Sequence, residues 1–179
     1  MVTVMGRDCG EIALKTALAC GAEIVMIPEV EWTLEEVAEK VRWGVMKGKR
    51  SEIMIMAEGA VSSLKSDLSA IIAKYEKLKE VSPGHLTSSQ IAMMIEALSG
   101  HETRATVLGY TQRGGSPTAE DRILASRLGA YAVRLMKEDK SGLAVGVKDS
   151  KLISLPILEA ADGKRGVNRE LLSLINELS

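Results

Sequence analysis

The sequence predicts an α/β fold, a three-layer α/β sandwich built on a mainly parallel sheet. Helical patterns of about 10–15 residues alternate along the chain with short apolar segments, which is typical of βαβ units. Segments such as Ile24–Ile27 and Ile53–Met56 are continuously apolar, as strands buried on both faces of a parallel sheet are. Since 46% of the 179 residues are hydrophobic and 26% are charged, we expect one domain over residues 1–179.

Capping residues and glycines mark the helix ends. Asp8 and Glu11 have the spacing of a capping box, and Thr33 and Glu36 repeat it. Gly21 is expected to end the first helix. Helices are predicted, in chain order, at Cys9–Cys20, between Thr33 and Gly48, at Ser66–Tyr75, at Thr87–Leu98, through Leu124–Leu135 and at Glu170–Leu178. Strands are predicted at Val2–Val4, Ile24–Ile27, Ile53–Met56, Thr103–Leu108, Leu143–Val147 and Leu152–Leu155.

Composition excludes several classes of protein. The net charge of -1 provides no whole-protein attraction to nucleic acid or to an anionic membrane. Because no apolar run reaches the ~18 residues of a membrane span and the N-terminus has no signal-peptide pattern, we expect a cytoplasmic protein.

Cysteines and histidines are few. The first predicted helix would hold Cys9 and Cys20 about 16 Å apart, beyond the ~7 Å limit for a disulfide, so both should be free thiols. The only histidines are His85 and His101, which excludes a histidine-rich metal site. We therefore predict no metal site in this chain.

Charged residues follow three of the predicted strands, on the edge where parallel sheets bind ligands. Arg7 follows the first strand, Glu58 the third and Arg113 the fourth. Both arginines lie beside glycines just before a helix N-terminus, where backbone N–H groups favour an oxyanion such as phosphate. Glu58 adds an acceptor for sugar hydroxyls. Loop charges without a ligand, and a packed loop aromatic at Tyr110, are the alternative interpretation.

A second charged cluster is predicted at the opposite edge of the sheet. Glu23 opens the second strand, and Lys47, Lys49 and Arg50 precede the third. Two charged sites on opposite edges would suit an enzyme with a separate regulatory anion site. Lysines at a helix C-terminus also complement the helix dipole, so a solvated helix end is the alternative.

Nucleotide-binding motifs are absent from the sequence. It contains no G-x-G-x-x-G after a strand and no Walker-type loop, so it does not by itself indicate a nucleotide site. The chain also begins almost inside a strand, at Val2, and we interpret it as the later part of a longer polypeptide.

Several segments resemble one enzyme family. They are Met5-Gly6-Arg7 followed by Cys9-Gly10, Ala57-Glu58-Gly59, Glu102–Gly109, Gln112–Pro117 and Asp121–Arg127. Together they closely resemble bacterial-type 6-phosphofructokinases, and Arg104–Arg122 matches the family signature over many positions. The resemblance covers the chain apart from Val61–Gly100. It implies the C-terminal part of the subunit, with most of the fructose 6-phosphate site and part of an allosteric nucleotide site.

The resemblance also implies site residues. The family's sugar-phosphate contacts fall on Met5, Gly6, Arg7, Glu58, Arg104, Tyr110 and Arg113. Arg7 would be the catalytic residue that stabilises charge on the phosphoryl group during transfer. Arg104 would reach the 6-phosphate in a neighbouring subunit's site. The effector contacts fall on Gly21, Glu23, Lys47 and Lys49.

The chain departs from the family pattern in three places. Tyr110 replaces the usual histidine; its hydroxyl can hydrogen-bond a phosphate but cannot carry a positive charge. Val61–Gly100 is longer than the usual connection, and we assign it no function. The family's N-terminal part, with the glycine-rich ATP loop and the aspartate proposed as catalytic base, has no counterpart. Mg²⁺ with ATP would therefore be bound mainly by the missing part.

The function implied by the resemblance is that of part of a 6-phosphofructokinase. The parent enzyme transfers a phosphoryl group from ATP to the 1-hydroxyl of fructose 6-phosphate in glycolysis, and the family is homotetrameric. We expect the chain alone to be inactive, because phosphoryl transfer depends on positioning both substrates. Its partners would be fructose 6-phosphate and a nucleotide effector, with neither nucleic acid nor membrane. The alternatives are a pyrophosphate-dependent enzyme and a non-catalytic sugar-phosphate-binding or oligomerisation module.

Overall fold

The chain divides into two compact units. In the computed structural model, which describes residues 1–162 and 166–178, one unit comprises Met1–Arg113 with Gly166–Ser179 and the other comprises Gly114–Arg165. Sequence analysis predicted a single domain. The difference arises because the last two strands pair with each other and do not extend the parallel sheet.

Strands and helices alternate as the sequence predicts. The strands are β1 (Val2–Val4), β2 (Ile24–Met26), β3 (Met54–Ala57), β4 (Thr106–Val107), β5 (Leu143–Lys148) and β6 (Lys151–Pro156). The helices are α1 (Glu11–Cys20), α2 (Leu34–Met46), α3 (Leu68–Lys74), α4 (Ser88–Ser99), α5 (Ala119–Lys137), α6 (Ile157–Asp162) and α7 (Arg169–Leu178). Short 3-10 helices lie at Glu58–Ser63, Glu76–Leu78 and Gly109–Arg113.

The first unit contains a four-stranded parallel sheet in the order β2-β3-β1-β4. The chain leaves β1 through α1 towards β2, but leaves β3 through α4 in the opposite direction, towards β4. Right-handed crossovers place these two helices on opposite faces. Accordingly α1 packs with α7, and α2 packs with α4. This confirms the predicted α/β class with a mainly parallel sheet, and makes β1 and β3 flank a topological switch point.

Aliphatic and methionine side chains form the core of the first unit. Every residue of β3 is buried, including Ile55 and Met56. Met26 of β2 and Leu14 of α1 are each only 1% exposed. Each such side chain contributes about 1.5–3 kcal/mol through burial. The chain has nine methionines and no phenylalanine, and flexible methionines can fill irregular gaps in such a core.

The Val61–Gly100 region belongs to this unit's helical layer. α4 begins with a capping box between Thr87 and Gln90, and it buries Ile91, Met94 and Ile95. Its partner in packing is α2. The region that departs from the family pattern is therefore part of the core.

The second unit combines α5 with a β5–β6 hairpin and α6. Asp149 and Ser150 link the two strands with φ values of 49° and 63°. Positive φ at both central residues is typical of a type I′ turn, whose twist matches antiparallel strands. Sequence analysis predicted both strands but neither their antiparallel pairing nor α6.

The first helix begins later than predicted. Its N-cap is Gly10 and no side chain caps it in the way predicted for Asp8 and Glu11, so that capping box is wrong. Instead, the Gly10 N–H donates to both carboxylate oxygens of Glu29, at 2.8 and 3.0 Å. The predicted end at Gly21 is confirmed, since this residue adopts the left-handed conformation with φ 66°.

Cys9 and Cys20 are free thiols, as predicted. In the part of the chain that the structure describes, no helix has the length and apolar character needed to cross a membrane. The strand predicted at Thr103–Leu108 is shorter, because the Thr103 N–H donates to the Glu96 carboxylate at 3.1 Å instead of joining the sheet.

The capping box of α2 provides a test of local stability. Thr33 Oγ1 accepts from the Glu36 N–H, and the Glu36 carboxylate accepts from the Thr33 N–H, both at 3.1 Å. We expect Thr33→Ala to lower the free energy of unfolding in urea by about 1 kcal/mol. Thr33→Ser keeps the hydroxyl and is the matched control. Equal losses in both variants would show that the hydroxyl does not stabilise the helix.

Candidate functional site

The loops after β1 and β3 lie side by side at the carboxyl edge of the sheet. Val4 pairs in register with Ala57, so Met5 and Glu58 follow directly from adjacent strand ends. The Gly59 N–H donates to the Gly6 carbonyl oxygen at 3.0 Å and continues the pairing past the strands. A Cβ at position 59 would overlap the Arg7 carbonyl group. Glycine at 59 therefore allows the close approach of Arg7 and Glu58.

Gly6 gives the loop after β1 its direction. Its φ of 143° lies in the range that side-chain-bearing residues rarely adopt, and a Cβ there would lie 2.6 Å from the Cys9 carbonyl oxygen. The backbone can consequently turn between Met5 and Arg7 without displacing α1.

The loop after β4 joins the same edge. Thr3 pairs with Val107, which brings the 3-10 helix at Gly109–Arg113 next to the end of β1. The Met5 N–H donates to Gln112 Oε1 at 2.7 Å and fixes the two loops together. The Arg113 guanidinium lies 5.6 Å from the centre of the Tyr110 ring, within cation–π range.

The structure thus brings six of the predicted sugar-phosphate residues to one edge. They are Met5, Gly6, Arg7, Glu58, Tyr110 and Arg113. Arg7, Glu58 and Arg113 are exposed, and within residues 1–162 and 166–178 none of the three has an ion-pair partner. Two guanidinium groups with one carboxylate can bind a phosphate ester and its sugar hydroxyls. Tyr110 is 80% exposed, so it is not the packed loop aromatic of the alternative interpretation.

Arg104 lies at the other edge, as its position before β4 predicts. Its carbonyl oxygen accepts from the N-terminal ammonium group of Met1 at 2.7 Å. Its exposed guanidinium donates to Glu102 at 2.8 Å, and this hydrogen bond raises the pKa of Arg104 above its ordinary value. Arg104 is therefore separated from the other six residues within one copy of the chain.

Helix N-termini contribute less to this edge than predicted. The Gly10 N–H at the start of α1, expected to be available to an oxyanion near Arg7, is already bound by Glu29. The start of α5 has its own capping box between Thr118 and Asp121. Sequence analysis missed Glu29, although a carboxylate soon after Pro28 at the end of the next strand was a usable signal. The Gly10 N–H is therefore not available to an anion at this edge.

The opposite edge contains a pocket of about 520 Å³. It is lined by Glu23, Lys47 and Lys49 of the predicted effector set, together with Ile24, Lys40, Trp43, Glu52, Asn176 and Glu177. Gly21 lies two residues before Glu23 and ends α1, but it does not line the pocket. Sequence analysis missed Trp43, although it lies four residues before Lys47, the spacing that places two side chains on the same face of a helix.

Paired charges organise this pocket. The Lys49 ammonium lies 3.4 Å from Glu23 Oε1, and Glu23 Oε2 accepts from the Ile53 N–H at 2.8 Å. The Lys47 ammonium lies 3.2 Å from the centre of the Trp43 ring, which is a close cation–π contact. The lysines are therefore held by specific partners, although Lys47 also ends α2 as the solvated-end alternative predicts.

Glu52 is the least satisfied group of the pocket. Its Oε2 atom is buried and has no hydrogen-bond partner among the described residues. Burial raises the pKa of Glu52 above its ordinary value and the Glu23 carboxylate raises it further, whereas Lys49 and His101 act in the opposite direction. The carboxylate occupies the space that a side chain at Gly44 would fill.

Over residues 1–162 and 166–178, no three or more histidine, cysteine, aspartate or glutamate side chains lie together in a way that could hold a metal ion.

Comparison with known protein families identifies a match over most of the chain. The family model described as phosphofructokinase matches residues 1–136. The ATP-dependent 6-phosphofructokinases of Lysinibacillus sphaericus and of Bacillus thuringiensis strain Al Hakam are each 39% identical over 179 residues. These alignments cover 100% of this chain and 48% of each relative, so the chain spans about half the length of the curated relatives it matches.

Solved structures give the same result for the fold. The T-state crystal structure of Pichia pastoris phosphofructokinase superposes with a TM-score of 0.70 at 30% identity, covering 98% of this chain and 18% of that one. The structure of phosphofructokinase from Saccharomyces cerevisiae superposes with a TM-score of 0.68 at 28% identity, and the match covers 99% of this chain and 22% of the yeast chain.

The glycine contact at the switch point can be tested by mutation. Gly59→Ala would push a methyl group into the Arg7 backbone, which cannot move without breaking the Gly59–Gly6 hydrogen bond. We expect it to lower the free energy of unfolding in urea by about 1–3 kcal/mol. Gly84→Ala is the matched control, since no heavy atom lies within 4 Å of its added Cβ and the change should stay within about 0.5 kcal/mol. Indistinguishable stabilities would mean that the close approach is not required.

Proposed function

Because this chain belongs to the phosphofructokinase family, we propose that it is the sugar-phosphate-binding part of an ATP-dependent 6-phosphofructokinase. The observation that carries the proposal is the convergence of Arg7, Glu58 and Arg113 at the switch point between β1 and β3. The relatives are ATP-dependent 6-phosphofructokinases, which favours ATP over pyrophosphate as the phosphoryl donor of the parent enzyme. The parent reaction moves a phosphoryl group from ATP to the 1-hydroxyl of fructose 6-phosphate.

Each residue of the edge has a chemical role in this proposal. Arg113 and the Tyr110 hydroxyl bind the 6-phosphate, while the Glu58 carboxylate accepts hydrogen bonds from sugar hydroxyls. The loop at Met5 and Gly6 lines the sugar. Arg7 lies at the centre of the edge, where its fixed positive charge stabilises the negative charge that spreads over the phosphoryl oxygens during transfer.

Magnesium and ATP belong to the other half of the enzyme in this proposal. The described residues offer no metal-binding cluster, and the chain spans about half of its relatives. Magnesium-bound ATP supplies the phosphoryl group. This chain holds the acceptor sugar in line and neutralises its phosphate, so by itself it binds substrate without turnover.

Assembly would complete the sugar-phosphate site. We infer a cytoplasmic homotetramer in which Arg104 contacts the 6-phosphate bound to a neighbouring copy. Two features of Arg104 support this. Its side chain is 86% exposed, and it lies at the opposite end of the strands from Arg7 and Arg113, so it cannot join them within one copy.

Fructose 6-phosphate binding to the chain tests the sugar-phosphate site. We expect binding by isothermal titration calorimetry, and a loss of about tenfold or more in affinity for Arg7→Ala and for Arg113→Ala, since each removes a charge-assisted hydrogen bond. Arg169→Ala is the matched control, because this exposed arginine begins α7 and is not one of the predicted sugar-phosphate residues.

Two results would contradict the proposal. One is a folded wild-type chain that does not bind fructose 6-phosphate, and the other is an Arg113→Ala variant that binds as tightly as Arg169→Ala. Thermal unfolding of each variant distinguishes a lost contact from a lost fold.

We also propose that the Lys47–Lys49 pocket binds the phosphates of a nucleotide effector. Its volume, its two partnered lysines and the exposed Trp43 ring support this, because an aromatic ring and ammonium groups suit a base with phosphates. Glu23 holds Lys49 in place from the start of β2. Gly21 gives the preceding turn its left-handed conformation and so positions Glu23.

Trp43 fluorescence can report this binding. Trp43 is 53% exposed and lies under Lys47, whereas Trp32 is only 7% exposed, so ADP should change the Trp43 signal. We expect Lys47→Ala and Lys49→Ala each to weaken ADP binding about tenfold. Lys65→Ala is the control, because its ion pair with Glu31 is outside the pocket. An ADP affinity that is unchanged in both pocket variants would refute the effector site.

A further inference from the structure

Glu52 separates two pockets of the amino edge of the sheet. On one side lies the pocket of Lys47 and Lys49, and on the other a pocket of about 430 Å³ that contains His101 and Arg104. Glu52 lines both of them. Any change in the charge or position of this carboxyl group therefore changes the lining of both pockets.

The packing of Glu52 explains why its charge is costly. The carboxylate lies against Gly44 in the middle of α2, and its Oε2 has no hydrogen-bond donor among the described residues. Glu23, by contrast, accepts from the Ile53 N–H and pairs with Lys49. The buried Oε2 atom has lost hydration that no donor replaces. Glu52 is thus the acidic group of the pocket that gains most from a proton.

The charges of the pocket balance only when Glu52 is ionised. Three lysines and three glutamates line it, namely Lys40, Lys47, Lys49, Glu23, Glu52 and Glu177. With all six charged the lining is neutral, and an anion gains little from long-range attraction. Protonation of Glu52 leaves one net positive charge and removes one of the two carboxylates that compete for Lys49.

We propose that Glu52 makes the lysine pocket a proton-dependent anion site, which binds polyphosphate-type ligands more tightly as the pH falls. The inference rests on the proposed effector function of the pocket and adds its regulation. A proton on Glu52 leaves Glu23 as the one charged carboxylate beside Lys49, so Lys49 is held less strongly when the phosphate oxygens of a ligand approach. Binding of the anion and uptake of the proton then favour each other, as linked equilibria must.

The surroundings of Glu52 support the direction of this effect. Burial and Glu23 raise the pKa of Glu52, so it takes up a proton at a higher pH than a solvated glutamate does. The charged groups that face it are Glu23 at the start of β2, Lys40 and Lys47 of α2, Lys49 and Arg50 before β3, His101, Glu102 and Arg104 before β4, Glu177 of α7 and the N-terminal amine. His101 also faces Glu52 and acts to lower its pKa, so it needs its own control.

The test measures ADP affinity of the 179-residue chain at pH 5.0 and 8.0 by Trp43 fluorescence and calorimetry. ADP itself takes up a proton in this range, so the decisive quantity is the difference between wild type and variant. We expect wild type to gain about five- to tenfold more affinity on acidification than Glu52→Gln, the order expected for one unit charge a few ångströms away. At pH 8.0 Glu52→Gln should bind ADP more tightly than wild type.

Two further variants keep the test decisive. His101→Gln should retain the pH dependence of wild type. Gly44→Ala should displace the Glu52 carboxylate from its niche into water, so that the change in affinity occurs at lower pH although the charge is kept. If Glu52→Gln folds poorly, Gly44→Ala still tests the proposal, because alanine is favourable within α2.

Thermal unfolding gives an independent readout without ADP. Because the pKa of Glu52 is raised on folding, ionisation of this group destabilises the fold as the pH rises above the ordinary glutamate range. Glu52→Gln should therefore have the higher Tm at pH 8.0, and this difference should shrink at low pH.

The outcomes separate this inference from the effector proposal. Equal pH dependence in wild type and Glu52→Gln, with ADP bound in both, would overturn the role of Glu52 alone. A pH dependence abolished by His101→Gln would overturn it as well. Failure of ADP to bind at either pH, with the chain folded, would overturn the effector site and the inference together.

Discussion

The parallel pairing of β1 with β3 is the constraint on which the candidate site depends. The chain leaves these two strands in opposite directions, and such a switch point is where open α/β sheets bind ligands. Gly59 extends the pairing by one hydrogen bond to Gly6, and it leaves no room for a side chain. The loop after β4 is then fixed to β1 through Gln112. The three loops that carry the exposed side chains are thus held together by the Gly59–Gly6 backbone hydrogen bond and by the Gln112 side chain.

The two edges of the sheet hold their charges in different ways. At the carboxyl edge, Arg7, Glu58 and Arg113 are exposed and have no ion pairs among the described residues, which suits groups that meet a charged ligand from solvent. At the amino edge, Lys49 is paired with Glu23 and Lys47 lies over Trp43. A ligand there must compete with existing partners, so its affinity depends on how easily those partners are neutralised. Regulation by protons is accordingly proposed for the amino edge.

Much of the architecture could be predicted from the sequence. The apolar segments around Val25 and Ile55 indicate strands because a strand buried on both faces cannot alternate apolar with polar residues. The Thr33 capping box and Gly21 marked helix ends correctly because these signals act over three or four residues. Once the strands are parallel, the residues after β1, β3 and β4 must lie at one edge, and the charged residues of the candidate site follow from that alone.

Tertiary structure decided what depends on residues far apart in the chain. Glu29, not Asp8, binds the start of α1, because the loop after β2 brings its carboxylate to Gly10. Nothing in the sequence distinguishes Glu52 from other glutamates. Its Oε2 atom loses hydration without gaining a hydrogen bond only because α2 places Gly44 over the carboxylate. The division into two units likewise follows from β5 pairing with β6. The sequence by itself determined the order of elements and the edge to which each charge belongs, since periodicity and capping are local. Partners and desolvation were set by the fold, because they depend on which distant atoms come within a few ångströms.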